Sequence, residues 1–520
     1  MTINFNQIPS TVGVPGTYVE FDGTGARTGQ AGKPYVTYAY GQMLAPKTAA
    51  FPQGSTAQPD IPVLVTSATQ AVQLFGAGSA LALMWIDLIA TNSINASYAI
   101  PQYDDPASVG RVVTANYSTV YTAPAAISGV EHAYIGDRAY ATAVAIGDTA
   151  TVVAAHMAAA ITLDPSCPFI AAASNGTLTL TAKNKGELAN DVQIVAQYVT
   201  GDASPSGAFV AFTQAVVGQQ NPTVSPGIAS GSTLYMTHVV LPYNDATNYA
   251  LMLAEAQDRW GAMPGATSIG NGEDDFMIFS AYRGSEAQFD AFIAQRNSEY
   301  YTCLHIEPPQ VINGVQYAGL PTTAWQFAAA YAAQSAQTAS VVCNLPLQNI
   351  VLNCIKPAPA VCRFPWNVRN RVILGGGSTY KYNTSDQVML ETAVTSRTLT
   401  DTGVPTDAER RVETQLAKSY MRWSVRVMLE TTYPAYRLAS DGTPDLPNGV
   451  ATPKLIRGSL ISLAKNVWVP AGVVERLDAF CNSLIVERST TDCNTISFQM
   501  FPKIVNILAI KAGKISYIVC

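Results

Sequence analysis

The sequence is short of charge. Lysine and arginine number 30 and aspartate and glutamate 36 in 520 residues, 13% in all, against about 25% in an average soluble domain. A formal net charge of −6 leaves no basic footprint for nucleic acid, so no direct nucleic-acid binding is expected. Histidine is nearly absent, with four residues, His132, His156, His238 and His305. None forms an H-E-x-x-H or another ligand spacing, so neither metal nor cofactor is expected. The eight cysteines contain no C-x-x-C pair, and they read as small buried hydrophobes. The most apolar helical run, "ALALMWIDLIA", is too short to span a bilayer and contains Asp87, so no membrane insertion is expected. The start "MTINFNQIPS" has no basic, apolar leader pattern, which points to a chain made and kept in a cytoplasm.

Catalytic motifs are missing as well. No G-x-S-x-G follows a strand, so an α/β-hydrolase elbow is unsupported, although Ser230, Ser232, His238 and Asp245 lie close in sequence. "LGGGSTYK" lacks P-loop spacing and reads as a tight turn between strands. "SDGTPDLPNG" lacks the downstream glutamate of a calcium loop.

What the sequence has in quantity is β-branched residues at its end and glycine at its beginning. "IVNILAIKAGKISYIVC", Ile504 to Cys520, reads as extended β-structure with no local partner. Residues 1–32 scatter glycines around one strand-like run, Thr17 to Phe21, and read as a flexible arm carrying a single strand. Unpaired strands recruit other strands.

Between these ends, "DIPVLVTS" reads as a buried-type strand, followed by two helices with Ser67 and Ser79 as N-caps and a strand, "ASYAIPQY". Residues 126–217 form a separate unit. It has a hairpin turning at Gly136-Asp137, a helix capped by Asp148, and a second hairpin with Asn175-Gly176 suited to a type I′ turn. From 233 to 345 three strands alternate with three helices, the pattern of parallel βαβ units. Thr406 to Glu409 has capping-box spacing and opens a helix over 407–430, and Thr452-Pro453 opens another.

The fold class is therefore multi-domain α/β. A 1–32 arm precedes an α/β sandwich core, 33–125 and 218–385, which is interrupted by a small inserted α+β domain at 126–217 on the outer surface. A C-terminal α+β domain, 386–503, and a strand arm, 504–520, follow.

In order and spacing, several phrases resemble contractile phage tail sheath proteins of the Mu-like type, nearly end to end. They include "VPGTYVEFD", "LFGAGSALALM", "VVLPYNDATNYALMLAEAQDRWG", "CNLPLQNI", "ETAVTSRTLTDTGVPTDA", "YMRWSVRVML" and "ATPKLIRGSLISL". The resemblance implies a core labelled subtilisin-like for its layout and not for proteolysis. It implies a non-enzymatic subunit that assembles in many copies, as hexameric rings, around a tail tube protein, with baseplate and tail terminator proteins at the ends. Such a sheath is part of the virion and is put together in the host cytoplasm. It also implies that both arms add strands to neighbouring subunits. Tyr18, Val19, Glu20 and Phe21 would serve at one end, and Ile507, Leu508, Ile515, Tyr517, Ile518 and Val519 at the other, with Gly13, Gly16, Gly23 and Gly25 as the hinge. The alternatives are the sheath of a contractile bacteriocin or type VI-like injection system, and an α/β hydrolase.

Overall fold

The computed structural model describes residues 32–198, 201–262, 275–312 and 314–517. Two compact bodies divide the described chain. One holds Lys33–Trp423 together with the segment from Ile504 onward, and the other holds Ser424–Lys503.

The first body is built on a six-stranded sheet. Its order is Tyr301–Ile306, Met277–Arg283, His238–Val240, Thr37–Gln42, Ser97–Gln102 and Val63–Leu64. All neighbours are parallel except Val63–Leu64, which runs antiparallel on the edge. From Thr37–Gln42 the chain steps first to one side and later to the other. Right-handed crossovers in opposite directions place helices on opposite faces. Ala80–Thr91 and Ala324–Val341 pack together on one face, and Ala246–Trp260 and Glu286–Ile293 cover the other. The faces can be read from single residues. Phe279 meets Tyr331 of the helix Ala324–Val341, whereas Tyr301 meets Tyr249 of the helix Ala246–Trp260, both edge to face at 5.0 Å.

The helix starts follow from local chemistry. Ser67, Ser79, Asp245 and Thr323 each accept a backbone N–H in the first turn, and Ser285 with Gln288 forms a complete capping box. Asp148 instead accepts from Ala145 N, and the helix Ala150–Thr162 starts after Thr149.

An antiparallel sheet of four strands, in the order Phe212–Val216, Val112–Asn116, Thr177–Ala182 and Phe169–Ser174, stands beside the core. A three-stranded sheet of Arg138–Val144, Gly129–Ile135 and Ile194–Val195 accompanies it. The first of these sheets therefore takes a strand from residues before 126. At its turn, Ser174 pairs with Thr177 and both central residues have positive φ, Asn175 at 50° and Gly176 at 77°. That is the type I′ geometry.

Three sequence expectations shift, and one strand goes unannounced. "DIPVLVTS" yields only the two-residue edge strand Val63–Leu64, with Leu64 exposed. The central strand Thr37–Gln42 carries no signal that periodicity detects. Gly375–Gly377 links the helix Trp366–Leu374 to the strand Thr379–Tyr382, so it does not join two strands. A Cβ on Gly377 would clash with the Phe289 ring, which accounts for glycine at this close approach. The helix expected from residue 407 begins at Val412. Val394 forms a β-bridge with Arg411 and Thr395 N donates to Arg410 O, which keeps the preceding segment out of the helix.

In the second body the helix Pro453–Leu463, capped by Thr452, continues as a π-turn at Ala464–Trp468. Trp468 is buried against Phe480 edge to face at 5.9 Å and donates its Nε1–H to Ser424 Oγ at 2.9 Å. A hairpin of Ile485–Arg488 and Ile496–Gln499 packs on the helix. Arg457 Nε also donates to Leu484 O at 3.3 Å, just before the hairpin.

Candidate functional site

From Val505 to Tyr517 the chain belongs to no helix or sheet among the described residues. Its burial nonetheless alternates. Val505, Ile507 and Ala509 are half-buried, while Asn506, Leu508 and Ile510 face solvent. A period of two is the signature of extended backbone with one face resting on a body. The exposed apolar side chains continue through Ile515 and Tyr517, 91% and 82% exposed. Two amide side chains hold the root of this segment. Asn344 Nδ2 donates to Val505 O at 3.5 Å and Gln348 Nε2 donates to Ala509 O at 3.3 Å. The loop that carries them is fixed in turn, since Leu347 N donates to Glu413 Oε1 at 2.8 Å at the start of the helix Val412–Thr432. Glu413 is buried, and desolvation raises its pKa.

Lys33, the residue that follows the expected N-terminal arm, is almost fully buried. Its Nζ donates to Asp275 Oδ1 at 3.1 Å and to Ser419 Oγ, and Ser419 Oγ donates to the same Asp275 oxygen at 2.7 Å. Burial pulls the Lys33 pKa down and the Asp275 carboxylate acts against that shift. Arg422 donates to Trp260 O at 2.8 Å and lies over the Trp260 ring, 5.3 Å from its centre.

Of the arm residues expected from sequence, Ile507 is half-buried and Leu508, Ile515 and Tyr517 are exposed. Tyr18, Val19, Glu20, Phe21, Gly13, Gly16, Gly23, Gly25, Ile518 and Val519 lie outside the described residues. Lys33, Asp275, Ser419 and Glu413 were not singled out from sequence. The available signal was rarity, because a chain with so few charges that buries several of them does so for a reason.

In the second body the hairpin presents Ile485, Glu487, Ser497 and Gln499 on its outer face and turns Val486, Arg488 and Ile496 inward. No third strand flanks it among the described residues. An isolated two-stranded sheet is marginal in water and its edges remain open to pairing.

The residues that hinted at hydrolysis are dispersed. His238 is fully buried, with Nδ1 3.0 Å from Thr237 Oγ1 and Nε2 3.0 Å from Ser335 Oγ, and burial together with the Lys33 charge lowers its pKa to about 3. His305 shares a 2.8 Å hydrogen bond with Gly284 O, and burial lowers its pKa to about 4. Asp245 caps its helix, and Ser230 donates to Asp60 O and Gly227 O. His132 stacks beside Tyr134 within the inserted region.

In open parallel sheets, ligands bind beyond the carboxyl ends of the strands. Here a cavity at that place is lined by Pro242, Asn244, Arg283 and Pro308 together with Leu188, Asn190 and Asp191 of the inserted region. Asp191 accepts from Arg283 Nε at 2.6 Å and from the first backbone N–H of the helix Ala324–Val341. The chain's own carboxylate thus takes the anion position at that helix start.

No family model matches the chain. Over 519 residues it is 30% identical to the Mu-like prophage FluMu tail sheath protein of Haemophilus influenzae, with 100% of both chains covered. Among solved structures it is similar to a sheath tail protein of Desulfitobacterium hafniense, at 11% identity and TM-score 0.44 over 95% of this chain and 97% of that one. A sheath tail protein of Listeria innocua gives 11% identity and TM-score 0.47 over 92% and 94%. The helical sheath of the anti-feeding prophage in its contracted state gives 10% and 0.45 over 97% and 99%. The full-length relative places the chain among the structural proteins of phage tails. Within that class, it belongs to the Mu-like tail sheath family.

Proposed function

We propose that copies of this chain stack as rings around a tail tube in an extended, metastable array, linked through their termini, and that contraction of the array drives the tube through a host envelope. The residues 505–517 support this reading: an extended, one-sided segment with exposed Leu508, Ile510, Ile515 and Tyr517 and no strand partner in its own chain among the described residues. A strand of a neighbouring copy satisfies its backbone and covers its apolar face. The open-edged hairpin Ile485–Arg488 and Ile496–Gln499 is the matching acceptor. The role is mechanical, not enzymatic. The stored energy is the difference between two packings of one lattice, a gain of roughly a few kcal/mol per subunit summed over many copies. Tube, baseplate and terminator proteins are the partners, the array is assembled in the host cytoplasm, and the virion is its destination.

The test is removal of everything after Ile504. The truncated protein keeps its circular dichroism spectrum and melting temperature but gives discrete particles by electron microscopy where the full chain gives tubes or rings. Normal tubes from the truncated protein overturn the reading.

A further inference from the structure

The roots of both arms meet one helix. At the C-terminal side, Val505 O and Ala509 O are held by Asn344 and Gln348, and that loop is fixed to Glu413 through Leu347 N. At the N-terminal side, Lys33 is held by Ser419 and by Asp275, which Ser419 also binds. Glu413 and Ser419 lie six residues apart in the helix Val412–Thr432, about 9 Å along its axis. The links are buried or half-buried hydrogen bonds, the helix backbone, and the 344–348 loop, in which Leu347 is buried while Leu345 and Pro346 face solvent.

We propose that the 344–348 loop and the first turns of this helix form a rigid bridge that couples the two arm roots, so that strain on one arm reaches the other within the same subunit. This rests on the reading that the arms are exchanged between copies. If each subunit is tied to different neighbours by its two ends, a stiff link between those ends passes a change at one interface to the next. Contraction then spreads through the lattice in place of starting independently in each subunit. A bridge of packed side chains and helix is the kind of element that carries coupling between sites.

The experiment is hydrogen exchange on polymerised full-length protein. In the wild type the 505–517 peptide exchanges slowly because it is paired with a neighbour. Lys33→Met and Ser419→Ala touch no residue of that peptide, yet each speeds its exchange by about threefold or more. Glu413→Ala does the same, and Glu413→Gln, which retains an acceptor for Leu347 N, stays near the wild-type rate. Unchanged 505–517 exchange in K33M and S419A polymers overturns the bridge. S419A removes a single hydroxyl and decides the matter if K33M does not polymerise. Fast exchange of 505–517 in wild-type polymers is a different result, because it refutes arm exchange itself.

Discussion

Asp191 and Arg283 lock the inserted region to the core sheet. The guanidinium, nearly buried at the end of the strand Met277–Arg283, donates to the carboxylate at 2.6 Å and also to Glu307 O, Leu320 O and Thr322 O. The same carboxylate satisfies the first N–H of the helix Ala324–Val341. Other bonds reinforce the seam. Asn184 Oδ1 accepts from Ala80 N at the start of a core helix, and Tyr198 OH donates to Pro357 O at 2.5 Å.

Asp191→Ala should therefore destabilise the first body by about 2–4 kcal/mol, because it leaves a buried guanidinium without its charge partner and removes a helix cap. The measurement is chemical denaturation of the variant against the wild type. Asp191→Asn, which keeps an acceptor, should lose less. A change within about 0.5 kcal/mol for the alanine variant would show that Arg283 is satisfied by its carbonyl acceptors alone.

Glu307 sets a pH dependence. It is fully buried, Tyr380 OH donates to it, and Tyr382 OH does so at 3.2 Å. Burial raises its pKa to about 7 from the ordinary glutamate value of about 4.5, with its hydrogen-bond donors and the Arg283 charge acting in the opposite direction. Between these values the folded state holds a proton that the unfolded state has released, so this group's contribution falls as pH rises from about 4.5 to 7. Glu307→Gln removes that slope. Melting temperatures from pH 4.5 to 8 should fall less steeply for the variant than for the wild type, and parallel curves would refute the assignment.

Trp468 anchors the second body, where it packs on Phe480 and donates to Ser424. Trp468→Ala should cost about 3–5 kcal/mol from the cavity. Trp468→Phe loses the hydrogen bond and part of the volume, and it should cost less. Equal losses for the two variants, read by denaturation, would mean that the indole N–H and not the packing holds the site.

The alternating strands and helices over 233–345 were legible because each strand is a compact apolar run and each helix begins with a capping residue. "TYAYGQ", the strand Thr37–Gln42, was not legible although it sits in the middle of the sheet. Buried parallel strands announce themselves by Val, Ile and Leu, and this one fills its place with Thr37, Tyr38, Tyr40 and Gln42, all buried. Gln42 belongs there because its amide donates to Asp104 Oδ1 and Lys185 O, both at 2.7 Å, a tertiary arrangement with no local signature. The extended character of residues 505–517 was legible in their β-branched run. The contact of Lys33 was not, because Lys33 meets Ser419 across 386 residues of chain.

The π-turn at Ala464–Trp468 holds one residue more than a regular turn, with Val469 N reaching back to Ala464 O at 3.0 Å. Removing a single residue there would let the coil tighten to the ordinary pitch and swing everything downstream by about 100°. The indole would then point away from Phe480. The length of this short stretch is therefore as tightly constrained as the identity of its buried tryptophan.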